Sequence, residues 1–172
     1  MCYHEAGHAV VSRVLGGRVV QVTVGLGELV EITPGLLLLQ DGRCRRVTLR
    51  SLRDELVVAF AGIEAQYTLL QGRTPTDADL KLSVHGDEAN IAFCMGVLAT
   101  KQGCESDEIL GDAVERARTL VLDHRADIER VARALLKRPS LTGEDLDALL
   151  GPMTAHNEMD QDELVNLLRE SG

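Results

Sequence analysis

Residues 3 to 11 read Tyr-His-Glu-Ala-Gly-His-Ala-Val-Val, and this stretch decides how the rest of the sequence is interpreted. It contains the pattern His-Glu-x-x-His, with imidazoles at His4 and His8 and a carboxylate at Glu5. Residues four apart lie on one helical face with Cβ atoms roughly 6 Å apart, so two ring nitrogens can meet at one tetrahedral zinc ion. The stretch therefore predicts a helix that holds Zn²⁺ through His4 and His8.

The sequence around this motif favours a helix. Apolar side chains at positions 3, 9, 10, 14 and 15 provide a buried face, and Gly16-Gly17 follows as a stop signal. Glu5 would flank the metal without binding it, and from there it can take a proton from a water molecule that attacks a carbonyl. A buried carboxylate without a cation is costly, so a purely structural pair of histidines is the weaker interpretation.

A wider part of the sequence resembles a known family. Residues 3–11 closely resemble the peptidase domain of the FtsH family, the membrane-tethered, ATP-dependent zinc proteases of peptidase family M41. Residues 61–65 (Ala-Gly-Ile-Glu-Ala) are similar to a degenerate form of the family's Gly-Gly-Arg-Ala-Ala-Glu segment, and residues 140–146 are similar to its Leu-(Thr/Ser)-Gly-Glu-Glu segment. The resemblance runs from about Tyr3 to Leu150. It implies a zinc metalloendopeptidase that acts on polypeptide substrates.

The third zinc ligand has to come from elsewhere in the chain. Catalytic zinc usually has three protein ligands, and the sequence after His8 lacks the Gly-x-x-His continuation of a metzincin. In the family resembled, this ligand is an aspartate at the start of a helix, and the matching residue is Asp87, within residues 83–89. Alternatives stay open: Asp87 as a simple helix cap, or a ligand at His85, Asp79, Glu88 or, as in a gluzincin-like hydrolase, Glu64.

The remaining sequence predicts a mainly α fold with a small β-sheet, in which a zincin-like active helix packs beside the sheet and a helical bundle follows. Residues 18–49 are rich in Val, Leu, Ile and Thr, which predicts three or four short strands with a hairpin at Asp41-Gly42. Ser51 can cap the first of the helices predicted over about 51–72, 87–100, 107–123, 126–137 and 143–150. Thr142 and Asp145 have the form of a capping box for the last one.

We expect one peptidase-like domain over residues 1–151 and a C-terminal tail with a short amphipathic helix over residues 152–172. The chain of 172 residues with 45% hydrophobic side chains is long enough to bury a core. No run approaches the roughly 20 apolar residues of a membrane span, so we expect a cytoplasmic domain that makes no membrane contact by itself. It would be membrane-associated only as part of a longer anchored parent.

The cysteines at positions 2, 44, 94 and 104 form no Cys-x-x-Cys pair, so we expect reduced thiols, with Cys94 in the core. Arginines at positions 43, 45, 46, 50 and 53 form a basic cluster in a chain of net charge −9. A solvated strand edge explains this cluster better than a nucleic-acid site, so no nucleic-acid partner is expected.

Partners follow from the resemblance. The sequence has no Gly-x-x-x-x-Gly-Lys-(Ser/Thr) loop, so ATP-driven unfolding of substrates would need an ATPase domain in a longer parent chain. An excised domain of this family implies a homo-oligomer, a hexameric ring, whereas a stand-alone relative need not form one.

Two other functions fit parts of the sequence. A catalytically silent interaction or regulatory domain with structural zinc would explain the departures from the family at Ile63 and Gly86, although the intact Glu5 favours catalysis. A zinc hydrolase that acts on something other than polypeptide is the second. For a peptidase, the segment from Gly25 to Leu39 occupies the place of the edge strand that holds an extended substrate.

Overall fold

The computed structural model of the chain describes residues 1–24, 30–33, 36–38, 42–46, 49, 51–76, 78–79, 87–102, 106–153 and 157–170. Within these ranges only the backbone is described for residues 30–33, 36–38, 42–43, 45, 88–89 and 101–102.

Seven helices and five strands make up these ranges. Helix α1 is Cys2–Val14, and the strands that follow are β1 (Val19–Val24), β2 (Val30–Thr33), β3 (Leu36–Leu38) and β4 (Gly42–Arg46). The next elements are α2 (Leu52–Glu64), which continues as a π-helical segment over Ala65–Leu70, α3 (Glu88–Gln102), α4 (Ser106–Asp123) and α5 (Arg125–Lys137). The last are β5 (Ser140–Thr142), α6 (Gly143–Leu150) and α7 (Gln161–Glu170). The predicted fold class, mainly α with a small sheet, is confirmed.

The strands pair differently from the sequence expectation. A three-stranded antiparallel sheet has the order β4-β1-β5, and β2 and β3 form a separate antiparallel pair. Asp41 of the hairpin predicted at Asp41-Gly42 lies outside the described residues, but the pairing expected around it is wrong for the described strands, because β4 pairs with β1 and β3 pairs with β2. The physical reason is burial: Val19 and Val22 are buried, which makes β1 the central strand with a partner on each side.

Helix ends follow their predicted caps. The Ser51 hydroxyl accepts a hydrogen bond from the Asp54 backbone N–H at 3.3 Å at the start of α2. At the start of α6, Thr142 and Asp145 form the reciprocal capping box. These local hydrogen bonds satisfy backbone donors that a helix leaves open, so the helix starts at 52 and 143 were readable from the sequence.

The core lies between α1, α2 and the helices packed against them. α1 packs on α2 and α5, and it also contacts β1 and β4, while α2 packs on α3 and α4. Most of the core is aliphatic, as the scarcity of aromatic residues requires, although Phe60 is also buried; the fully buried large aliphatic side chains are Leu49, Leu56, Ile63, Ile109, Ile128, Leu135, Leu141 and Leu146. Cys94 is also buried, as expected.

The C-terminal segment packs on the rest of the chain. The Asn157 N–H donates to the Gly16 carbonyl at 2.7 Å, and Leu164 and Leu167 of α7 lie against the core. The division at residues 151 and 152 stays a prediction. Within the described ranges, no helix combines the length and apolar character that a membrane crossing needs.

Candidate metal centre

Two glycines let α1 and α2 approach closely enough to build the site. A Cβ atom at Gly7 of α1 would overlap the Ala61 carbonyl oxygen of α2. A Cβ atom at Gly62 of α2 would lie 2.5 Å from His8 Nε2 and 2.9 Å from His4 Cε1. Because Gly7 has no side chain, the backbones of α1 and α2 come into contact there. Because Gly62 has none, the two imidazole rings pack directly against α2.

Three donor atoms converge beside this face of α2. His4 Nε2 and His8 Nε2 are 3.0 Å apart, and Asp87 Oδ2 lies 3.2 Å from His8 Nε2 and 3.6 Å from His4 Nε2. Donors bound to one tetrahedral ion at 2.0–2.1 Å are separated by about 3.3 Å. The three separations bracket this value, so the residues fit a single Zn²⁺ ion.

The orientation of His8 agrees with a role as ligand. Its Nδ1–H donates to the Val58 carbonyl oxygen of α2 at 2.7 Å. This hydrogen bond leaves the Nε2 lone pair of a neutral imidazole directed at Asp87 Oδ2. Two electron-rich atoms at this distance repel one another unless a proton or a metal cation lies between them, so the cluster requires a positive charge.

The pKa values of His4, His8 and Asp87 are shifted by burial and by one another's charges. Burial is the largest influence on His8 and lowers its pKa, but the charge and hydrogen bond of Asp87, together with Glu5 and Val58, raise the pKa overall. For His4, burial prevails over Asp87 and the pKa is lowered. Burial raises the pKa of Asp87, but the two imidazoles outweigh it and hold the pKa well below its usual range.

Asp87 occupies the helix start that the sequence predicted. Its carbonyl oxygen accepts a hydrogen bond from the Ile91 N–H at 2.9 Å, which makes Asp87 the residue that precedes α3. A carboxylate at this end of a helix is stabilised by the free N–H groups and by the helix dipole. Among the described residues, the group able to hold a metal consists of His4, His8 and Asp87.

Asp79, another ligand candidate from the sequence, is engaged elsewhere. Asp79 accepts hydrogen bonds from the Arg73 guanidinium at 2.6 and 3.0 Å and from Thr76. His85 and the side chain of Glu88 lie outside the described residues.

Glu64 needs a correction, because the sequence left it open as the third ligand. Its side chain is fully buried, and Arg118 donates to both carboxylate oxygens at 3.0 and 3.2 Å. The Thr68 hydroxyl donates to the same carboxylate at 3.2 Å. Because an arginine already neutralises Glu64, the structure does not support the gluzincin-like arrangement.

Glu5 lies next to the cluster on the same helix. It is buried at 3% exposure, between the two histidines in the sequence of α1, and its charge is one of the influences that raise the pKa of His8. This position fits a general base beside the metal. The catalytic role of Glu5 and the ligand roles of the three other residues stay predictions.

Sequence reasoning missed a third buried acid, besides Glu5 and Glu64. Glu55 of α2 is 2% exposed and forms a bidentate ion pair with Arg46 at 2.6 Å. The expectation that the arginine cluster is a solvated edge is therefore wrong for Arg46, whereas the side chains of Arg43, Arg45 and Arg50 lie outside the described residues. A signal was present, since Glu55 interrupts the apolar face of α2 between Leu52 and Leu56.

Comparison with known proteins identifies a distant relative. No protein-family model matches the chain. The protein "ATP-dependent zinc metalloprotease FtsH 1" of Symbiobacterium thermophilum is 31% identical over an alignment 177 positions long, which covers 86% of this chain and 28% of that protein. The chain thus spans little more than a quarter of the length of the curated relative that it matches. The resemblance to the FtsH family is confirmed, and this chain is distantly similar to that zinc metalloprotease over its peptidase region.

Proposed function

We propose that this chain is a zinc-dependent endopeptidase domain, in which His4, His8 and Asp87 hold Zn²⁺ and Glu5 is the general base. The observation that carries the proposal is the set of three donor separations, 3.0, 3.2 and 3.6 Å, around one point. An N₂O donor set of this size suits zinc and leaves a fourth position for water or substrate.

A bound Zn²⁺ ion would act as a Lewis acid that polarises the scissile carbonyl and makes the attacking water more acidic. The Glu5 carboxylate would accept a proton from that water and deliver it to the leaving amine. The hydrogen bond from His8 to Val58 would keep the imidazole orientation fixed during the reaction. Each residue thus has one role, and the burial of Glu5 keeps bulk water away from the proton transfer.

The sheet supports a way to hold the substrate. Strand β4 contacts α1 and lies at the edge of the described sheet beside β1, so its outer backbone groups are the ones that we propose hold an extended peptide. The segment first expected in this role, residues 25–39, contains β2 and β3, which form their own pair. Backbone hydrogen bonds of this kind would tolerate many substrate sequences.

The name of the relative describes an ATP-dependent enzyme, and the alignment with this chain covers only 28% of that protein. We therefore extend the proposal to partners: a polypeptide substrate, an ATPase domain in a longer parent chain, and a hexamer if the assembly follows the family. A cytoplasmic location goes with the same proposal.

The test measures zinc content and casein cleavage for the wild type, Glu5→Gln and Asp87→Asn. We expect one zinc per wild-type chain and cleavage that the Glu5→Gln variant loses while it keeps its zinc. Asp87→Asn should lose zinc. Asp79→Asn is the matched control, because Asp79 pairs with Arg73 and is not one of the three clustered donors, and it should keep both properties.

Each outcome separates the alternative functions. Zinc in both wild type and Glu5→Gln with no cleavage by either would favour the silent interaction domain or a hydrolase with another substrate. If the wild-type protein binds no zinc, the proposal is wrong.

A further inference from the structure

A buried carboxylate behind the site receives hydrogen bonds from three separate segments of the chain. Both oxygens of Glu55 accept from Arg46 of β4 at 2.6 Å. The Leu49 backbone N–H donates to Oε1 at 2.5 Å, and the Asn90 side-chain amide of α3 donates to Oε2 at 3.3 Å. Glu55 therefore ties β4, the segment after it and α3 to α2.

This network reaches α3, the helix that follows Asp87. Asn90 lies three residues after Asp87, which places both on the same face of the first turn of α3. The hydrogen bond from Asn90 to Glu55 thus fastens that turn to α2 at a defined point.

Glu55, at the other end of the network, belongs to the helix that contacts the two imidazole rings. Glu55 and Gly62 are two turns apart on one face of α2, and Gly62 is the residue against which His4 and His8 rest. One rigid helix therefore sets the positions of all three proposed ligands, directly for the histidines and through Glu55 and Asn90 for Asp87.

The charge of Arg46 interacts with both Glu55 and Asp87. Burial lowers its pKa, but the hydrogen bond and charge of Glu55 raise it overall, and Asp87 contributes in the same direction. The guanidinium therefore lies within electrostatic reach of Asp87 while Glu55 holds it in place.

We propose that Asn90 and the Arg46–Glu55 ion pair are positioning residues that fix Asp87 at the metal. The inference rests on the proposed zinc site and deepens it, because it states what holds the third ligand in place. Residues that orient a metal ligand from behind typically change metal affinity by about 10- to 100-fold when removed.

The test compares zinc dissociation constants of the wild type, Asn90→Ala and Asn90→Asp, measured by competition with a chromophoric chelator. We expect Asn90→Ala to raise the constant about tenfold or more. Asn90→Asp should raise it further, because it places a second carboxylate against Glu55. These variants avoid removing Arg46 or Glu55, whose loss would leave a buried charge without its partner.

Thr68→Val is the matched control. Like Asn90→Ala, it removes one hydrogen bond from an uncharged side chain to a buried carboxylate of α2, in this case Glu64. It should leave zinc affinity unchanged. Thermal unfolding of each metal-free variant, recorded in parallel, ensures that affinity is compared among folded proteins.

Hydrogen exchange at the first turn of α3 gives a readout that needs no metal, and Asn90→Ala should speed it in the metal-free protein. Unchanged zinc affinity in Asn90→Ala, or an equal loss in Thr68→Val, would overturn the inference and leave the zinc site itself standing. A wild type that binds no zinc would overturn both.

Discussion

The contact between Gly62 and the imidazoles predicts that a single methyl group strongly weakens metal binding. In Gly62→Ala, the new Cβ would lie 2.5 Å from His8 Nε2, about 0.9 Å closer than the 3.4 Å at which ordinary contact begins. It would also lie 2.9 Å from His4 Cε1. Because both rings meet the methyl group, neither can move into the space of the other, and both must move away from α2.

The required displacement is large compared with what zinc coordination allows. Ligand distances in zinc sites vary by only about 0.2 Å, whereas the rings must yield by several times that amount. We expect the zinc dissociation constant to rise by at least about 100-fold, beyond the effect of losing an orienting residue. The fold should survive, since overpacking costs about 1–3 kcal/mol and alanine returns about 0.5–1 kcal/mol of helix stability.

The assay is a chelator competition titration beside thermal unfolding of the metal-free protein. Gly111→Ala is the control, because it makes the same change within α4 where a Cβ meets no described atom within 4 Å. That variant should keep wild-type zinc affinity and gain stability. Zinc binding by Gly62→Ala at wild-type affinity would refute the idea that the rings rest on α2 in the metal-bound protein.

Three further predictions concern stability and reactivity. Gly7→Ala should lower the free energy of unfolding by about 1–3 kcal/mol through overpacking against α2, and an unchanged denaturation midpoint would contradict this. Burial raises the pKa of the Cys44 and Cys94 thiols to about 12, so neither should be alkylated in native protein at pH 8 until a denaturant is added; rapid native labelling seen by mass spectrometry would count against it. Hydrogen bonds from the Thr142 N–H, the Arg138 side chain and the Thr142 hydroxyl lower the pKa of Asp145 to about 2 from 3.8. The stability that wild type holds over Asp145→Asn should therefore be full above the unfolded pKa and vanish as pH falls towards 2; a difference independent of pH would argue against the cap.

Local features of the fold were readable from the sequence because they depend on neighbouring residues. The spacing of His4 and His8 places both rings on one face of a helix, whatever the rest of the chain does. The caps at Ser51 and Thr142 likewise use hydrogen bonds that span three residues. The family resemblance then pointed to Asp87, a choice that helix periodicity alone could not have made.

Strand pairing was outside the reach of local reasoning. The turn at Asp41-Gly42 looked like a hairpin, but burial of Val19 and Val22 made β1 the central strand, and β4 joined it. Pairing of this kind is decided by which faces can be buried together across distant segments, so the third strand, β5, was equally unexpected.

By itself the sequence determined that a helix carries two imidazoles and a carboxylate suited to zinc, because the chemistry and the 3.6-residue period are both local. Only the tertiary structure decided how that helix becomes a site. It places Gly62 under the rings, engages Glu64 with Arg118, and brings Asp87 within 3.2 Å of His8 Nε2. Each of these contacts joins side chains that are far apart in the chain, and their distances are set by how closely the helices pack.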